Sequence, residues 1–476
     1  MELKSEELHS TVELLQISFN DVCSSMTSVV SENSGDKLKS KKKDVNKFLN
    51  LGEASDDSSS DEASSAPKSG SNDDFTILYS LCSKSNYNFN IIDEIIDMLQ
   101  PHENQRKYRY SALGFMRKQI RVALNGTGFD VGLQELACNL PDDPIKISVM
   151  LCKSQITNWQ KVCVDALIAA EQQLVDPAMQ AFADTYFDML EHGFQTITNH
   201  VISNTTQSSD NMSFKVNCLV DQLEVEITSN ARTDLCMLAF LQEVSEFVGQ
   251  NYLFKRSLLL IRAWWVYETA AYVGGAVKHY LSDFAISIMV TAIFNQFHAQ
   301  ISHPLQALCL FLSEYAGYDG STHAITLQGI LPFSGSNSTT VVPAAPANYL
   351  LNDQLFDRYW PLFNVSQQGD DLGRSFVPGR NDPQFIRQGF NIVHPFTSVN
   401  IIGEKISSKR VQKIHKVFQA GASKLQDLLL QTSTERNFSV AQNVLGTFFS
   451  ATKEKFKSNK RVDALPGREN EYDFIK

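Results

Sequence analysis

The feature that most constrains this chain is a helix without a polar face. In LFKRSLLLIRAWWVYE (253–268), Phe254, Leu258, Ile261 and Trp265 recur at i, i+4, i+7 and i+11, while Leu259, Leu260 and Trp264 cover another side. A helix apolar nearly all round is stable only when other elements surround it, so this one belongs at the centre of a helical domain. The surroundings are present in the sequence. From Asp234 to about residue 315 the pattern is almost wholly helical, and helices return over 409–430 and 440–456 after a loop-rich region at 318–388.

The preceding stretch has a different period. Residues 88–124 read as helix, with Pro101 dividing them into two and Gly126 and Gly128 closing the second. Ile145, Ile147, Val149 and Leu151 then alternate as in a half-buried strand. A long helix is expected over 159–190, followed by short strands over 214–219 (FKVNCL) and 223–228 (LEVEIT) joined at Asp221 and Gln222. One small sheet flanked by helices, followed by a helical block, makes the fold class α+β. Before it, a lysine cluster from Lys37 to Lys47 leads into SDDSSSDEASSAPKSGSNDD (55–74). That composition cannot bury enough apolar area to fold, so a disordered acidic, serine-rich tail over 1–74 is expected, with order beginning near Phe75. The lysine cluster reads as a solvated tail or as a nuclear-import signal, and the serines as plain linker or phosphate acceptors.

With 476 residues, 43% of them hydrophobic, the chain can form two or three domains. It has no run of the roughly 18 to 20 apolar residues needed to span a bilayer, and its start, MELKSEELHS, has no signal-peptide pattern. A soluble intracellular protein, nuclear or cytoplasmic and without membrane contact, is expected. The eight cysteines are scattered and form no C-x-x-C pair, which reads as reduced core thiols rather than a metal site. The net charge of −11 is unevenly placed: residues 1–75 hold 8 Lys against 15 Asp and Glu, whereas 405–476 hold 14 Lys and Arg against 7. The basic end suits either a solvated helix face or a phosphate backbone. No G-x-x-x-x-G-K-[ST], H-E-x-x-H or G-x-S-x-G pattern is present.

Five segments carry a family resemblance in register: QPHENQRKYRY (100–110), LFKRSLLLIRAWWVYE (253–268), LSDFAISIMVTAIFNQFH (281–298), FNIVHPF with NIIG (390–403), and GASKL (421–425). Over roughly residues 97–430 the chain resembles the nucleotidyltransferase superfamily, of DNA polymerase beta-like fold. Within it the likeness is to the plant-like group of poly(A) RNA polymerases with a poly(A) polymerase/oligoadenylate synthetase substrate-binding domain. The resemblance implies a small mixed-sheet nucleotidyltransferase domain (75–232, with 75–104 packing on the helical part). A larger all-helical substrate-binding domain (233–430) and a basic C-terminal extension (431–476) would follow.

The chemistry of that family needs a Gly-Ser turn for the triphosphate, an Asp-x-Asp strand and a third Asp on a neighbouring strand, because two Mg²⁺ ions must be clamped. The matching segment here is VGLQELACNLPDDPIKI (131–147). Gly132 is kept and Leu133 replaces the Ser; Pro144 and Lys146 stand at the two Asp-x-Asp positions, and Glu226 at the third. A lysine ammonium about 4 Å from a divalent ion, at an effective dielectric of about 20, is repelled by on the order of 8 kcal/mol. A bulge could slide Asp142 and Asp143 into register, but a one-residue slip turns Ile145, Ile147 and Val149 outward.

Further positions follow from the same resemblance. Arg262 stands for a triphosphate-binding Lys, or pairs with Glu268 or Asp283. Ser282 is an N-cap or an anion ligand. Phe284 keeps the ring face of a base-stacking Tyr, or packs in the core. His394 replaces an Asp and Asn400 matches an Asn near the base. The reading is a degenerate nucleotidyltransferase without a metal cofactor, binding RNA, nucleoside triphosphate or an RNA-processing partner. The alternatives are an active Mg²⁺ enzyme adding nucleotides to RNA 3′ ends through Asp142, Asp143 and Glu226, and a purely structural protein.

Overall fold

Pro101 ends the first described helix: α1 (Tyr87–Leu99) stops before it and α2 (Glu103–Leu124) restarts after it, because proline cannot donate to the preceding turn. The computed structural model describes residues 78–82, 87–101, 103–124, 127–134, 136–151, 206–207, 215–220, 223–229, 231–275, 277–333, 349–352, 354–356, 358–359, 385–397, 399–402, 406–434 and 438–457. All lie within one compact unit, residues 68–476. The expected tail, the helix over 159–190, Gly126 and the turn at Asp221 and Gln222 fall outside the described residues.

Five strands form the mixed sheet: β1 (Thr127–Asp130), β2 (Ile145–Met150), β3 (Thr206–Gln207), β4 (Lys215–Val220) and β5 (Leu223–Ser229), in the order β1-β2-β5-β4-β3. β2 and β5 run parallel and the other neighbours antiparallel. The alternation in β2 turns Ile145, Ile147 and Val149 inward, where they meet Val225 and Ile227 of β5 and Leu113, Met116 and Ile120 of α2. β1 departs from the expectation that Gly128 closes a helix. Gly128 lies in the strand, where a Cβ would meet Ile147 Cγ2 at 3.2 Å, so its small size permits close packing across the sheet.

The helical part comprises α3 (Arg232–Val248), α4 (Leu253–Ala263), a π-helical turn (Trp264–Glu268), α5 (Ala270–Val273), α6 (Asp283–Phe297) and α7 (Pro304–Ala316). A hairpin of β6 (His323–Thr326) and β7 (Gly329–Pro332) follows, then α8 (Ser408–Thr434), α9 (Phe438–Gly446) and α10 (Ser450–Phe456). Every residue of α4 except Arg256 is buried, which places the helix without a polar face at the centre of the domain. Trp265 stacks on Phe418 of α8 with centroids 5.8 Å apart. Gly421 lets α8 approach, since a Cβ there would lie 2.6 Å from the Trp264 ring. Gly274, at φ +65°, ends α5 in the left-handed conformation. α1 packs on this domain through Ile92, Ile95, Ile96 and Leu99, through Phe89 stacked on His303 at 3.9 Å, and through Asp93, which pairs with Arg256 and His303.

Two boundaries differ from the sequence reading. The 318–388 region holds the β6–β7 hairpin, whose four-residue strands give too short a pattern to read. The helical packing does not stop at residue 430: Leu445, Phe448, Phe449 and Phe456 belong to the same core. Buried Glu268 accepts from Ala451 N at 3.2 Å and from Thr452 N and Oγ1 at 2.8 Å. The basic residues of this stretch mark its solvent side, while its phenylalanines carry the packing. Among the described residues no single helix is long and apolar enough to cross a membrane; α6 and α7 pass such a test only as a pair bent by 119°, and both are buried in the helical core.

Candidate functional site

Because strand side chains alternate, the register that buries Ile145 and Ile147 puts Lys146 on the opposite face of β2. There it lies beside Glu226, its neighbour in the parallel ladder. The face borders a solvent-open cleft of about 250 Å³ whose walls include Asp130, Gly132, Asp143, Pro144, Lys146 and Asp283. Lys146 Nζ sits 2.8 Å from Asp283 Oδ2. Burial disfavours the ammonium, yet Asp283, with Glu226 and Asp143 nearby, raises its pKa above the ordinary lysine value.

α4 supplies the second cation. Arg262 is 1% exposed and forks between two acids, Nη1 to Asp143 Oδ2 at 2.9 Å and Nη2 to Asp283 Oδ1 at 2.6 Å. Nη1 also donates to Cys138 O at 2.6 Å. Burial works against the charged form of Asp283, but Arg262 and then Lys146 hold its carboxyl well below the usual carboxylate range. The result is a chain, Lys146–Asp283–Arg262–Asp143, in which two cations match two acids.

Several other polar groups of the cleft also have internal partners. Gly132 N donates to Asp130 Oδ1 at 2.8 Å, and Leu133 is buried in the core. Asp143 Oδ2 closes its own turn by accepting from Leu140 N at 2.6 Å. Asp142 faces elsewhere, held by Tyr267 of the π-helical turn and Lys455 of α10. Burial opposes its charge, yet those two partners lower its pKa. The slip that would bring Asp142 and Asp143 onto the strand is not made. Asp143, Glu226 and Asp283 do gather, but around Lys146. Among the described residues no group of three or more His, Cys, Asp or Glu is placed to hold a metal ion. The donor set does not fit a two-metal clamp: an ammonium and a guanidinium already neutralise the acids, and an ion beside Lys146 would meet like charge.

The other positions singled out in the sequence have local partners. Ser282 Oγ accepts from Ala285 N at 3.2 Å, an N-cap on α6. Phe284 is half-buried against the helical core. Arg262 pairs with Asp283 and not with Glu268, whose carboxylate α10 takes. His394 Nδ1 accepts from Phe396 N and Thr397 N, both at 3.2 Å, and burial pushes its pKa down to about 4. Asn400 ties its segment together: Oδ1 accepts from Ile392 N and Ile402 N, and Nδ2 donates to Ile386 O and Asn391 Oδ1. Neither residue lines the cleft.

Arg109 had no signal in the sequence, being one of many basic residues in α2. It is buried and donates from Nη1 to Asp143 O at 2.7 Å and from Nε to Gln134 Oε1 at 3.0 Å, clamping the turn that precedes β2. Asp283 carried one clue, an acid directly after an N-cap serine in SDF (282–284). The pairing of Asp142 with Lys455 spans 313 positions and is visible only in three dimensions.

Comparison with curated proteins returned no match. Among solved structures, Cid1, described as having RNA terminal uridylyl transferase activity, is 13% identical with a TM-score of 0.44, covering 75% of this chain and 97% of that one. Cid1 in complex with its short product ApU gives 12% identity and a TM-score of 0.43, covering 76% and 98%. Similarity of that strength carries no weight for function. Residues 248–453 match the family model of the PAP/OAS1 substrate-binding domain, a span that includes α4 to α8, α9 and the start of α10. Over that span the chain is similar to the PAP/OAS1 substrate-binding domain.

Proposed function

We propose that this protein, of the RNA terminal poly(A)/poly(U) polymerase type, has lost catalysis and acts as an RNA-binding module. The observation that carries the reading is the Lys146–Asp283–Arg262–Asp143 chain, in which the protein's own cations neutralise the acids that remain around β2. Gly132, at the position of the family's triphosphate turn, gives its amide to the Asp130 carboxylate, so an internal anion takes that donor too. Support for RNA comes from α8, where Lys409, Arg410, Lys413 and Lys416 are exposed at i, i+1, i+4 and i+7, a spacing that lines up cations along a helix face. An RNA-processing protein is the other partner such a module would hold.

The competing reading, an active enzyme, draws on the gathering of Asp143, Glu226 and Asp283. It requires Lys146 and Arg262 to withdraw and a metal to replace them. The test uses the purified full chain with Mg²⁺, each nucleoside triphosphate and a short RNA. The expected result is no 3′ extension, with RNA bound in a salt-dependent manner. Extension that disappears in Glu226→Ala overturns the proposal.

A further inference from the structure

A second cleft, of about 440 Å³, lies on the other side of the 132–139 segment, between that segment and α2. Its walls include Gln100, Arg106, Arg109, Tyr110, Gln134 and Leu259, and it shares Gln134 and Asn139 with the β2 cleft. Three polar groups here are not matched. Among the described residues, Gln100 Nε2, Gln134 Nε2 and Arg106 Nε have no hydrogen-bond partner, although Gln100 and Gln134 are only 6% and 9% exposed. The orientation of the Gln134 amide is fixed, since its Oε1 accepts from Arg109 Nε and the NH₂ end must then be the unmatched one.

Buried donors without acceptors are costly and uncommon in folded proteins, and a ligand that completes them removes the cost. All three unmatched groups are donors and one belongs to the Arg106 guanidinium, a set that an anion satisfies. Pro101, Leu259 and the Tyr110 ring add apolar wall beside these groups, on a cleft open to solvent. We propose that this cleft binds a phosphate monoester carrying a flat ring system, a nucleoside monophosphate or the 5′-phosphorylated end of an RNA. Arg106 and the two glutamine amides contact the phosphate. The proposal is independent of whether the β2 cleft is catalytic.

The test is isothermal titration of the full chain with UMP, AMP, uridine, inorganic phosphate and a 5′-phosphorylated dinucleotide. The monophosphates are expected to bind, and Arg106→Ala and Gln100→Leu to weaken them by about tenfold each, the loss of one charge-assisted contact. Gln100→Leu removes an unmatched donor, so its melting temperature should not fall, which separates lost binding from lost folding. A dinucleotide that binds more tightly than UMP identifies an RNA end as the source; the reverse order identifies a free nucleotide. The proposal is overturned if no monophosphate binds at millimolar concentration, if uridine binds as tightly as UMP, or if both variants bind like the parent chain. Binding lost in Lys146→Met but kept in Arg106→Ala would place the ligand in the β2 cleft and also overturn it.

Discussion

The two clefts flanking the 132–139 segment share Gln134 and Asn139 but differ in how their cations are held. On the β2 side each ammonium and guanidinium meets a carboxylate, and the glycine amide meets another. On the α2 side, two amides and a guanidinium Nε lack acceptors. The contrast teaches that one short segment can border a cleft whose cations are paired with acids and another in which the Arg106 Nε is not paired. Asp143 and Asp283 are part-buried like charges, and Lys146 and Arg262 offset them. In the function proposed above, the β2 cleft is a structural unit and its neighbour a binding site.

The largest expected effect tests the closed side. Arg262→Leu leaves Asp143 and Asp283 without their guanidinium, and breaking a buried pair from one side costs about 3–5 kcal/mol. Urea denaturation should show that loss, with part of it regained when Asp143→Asn and Asp283→Asn are added. A loss below about 1 kcal/mol would show that the acids are solvated in the absence of Arg262 and would break the comparison.

Acid titration sharpens it next. His394 has its pKa pushed down to about 4 by burial, against about 6.5 unfolded. The unfolded state therefore binds the extra proton first: stability is complete above about pH 6.5 and falls as the pH drops towards 4, by about 3 kcal/mol. Asp283, whose carboxyl is held low by Arg262 and Lys146, loses its contribution only below about pH 4, the unfolded carboxylate value. Stability curves of the parent and His394→Asn, which keeps a turn acceptor, should diverge between pH 6.5 and 4 and not above. Coincident curves would contradict the burial of a neutral ring.

The smallest effect concerns Asp142. Its pair with Lys455 is nearly half exposed on both sides, so Lys455→Ala should cost at most about 1 kcal/mol. A larger cost would mean that α10 anchors the β2 turn more firmly than a surface pair can.

How much of this was legible in the sequence depended on the range of the interaction. The helix around Leu258 and Trp265, the break at Pro101 and the alternation of Ile145, Ile147 and Val149 are local patterns, and each appears where the pattern put it. β1 and the β6–β7 hairpin escaped because strands of four residues carry too little period, and Gly128 resembles a helix stop until Ile147 lies against it. The alternation that turns Lys146 away from Ile145 and Ile147 was readable, but not that Asp283 would stand between Lys146 and Arg262, because three separate elements converge to make that contact. His394 and Asn400 were marked by position in a family pattern; their neighbours in the 386–402 segment, which the pattern does not encode, turn them into ties for the backbone.

The central claim is that internal cations occupy the role of the metal, and divalent-ion binding tests it most directly. Calorimetric titration of the full chain with Mg²⁺ and Mn²⁺ at neutral pH and low ionic strength should show no saturable site. A saturable site that is lost in Glu226→Ala would contradict the account.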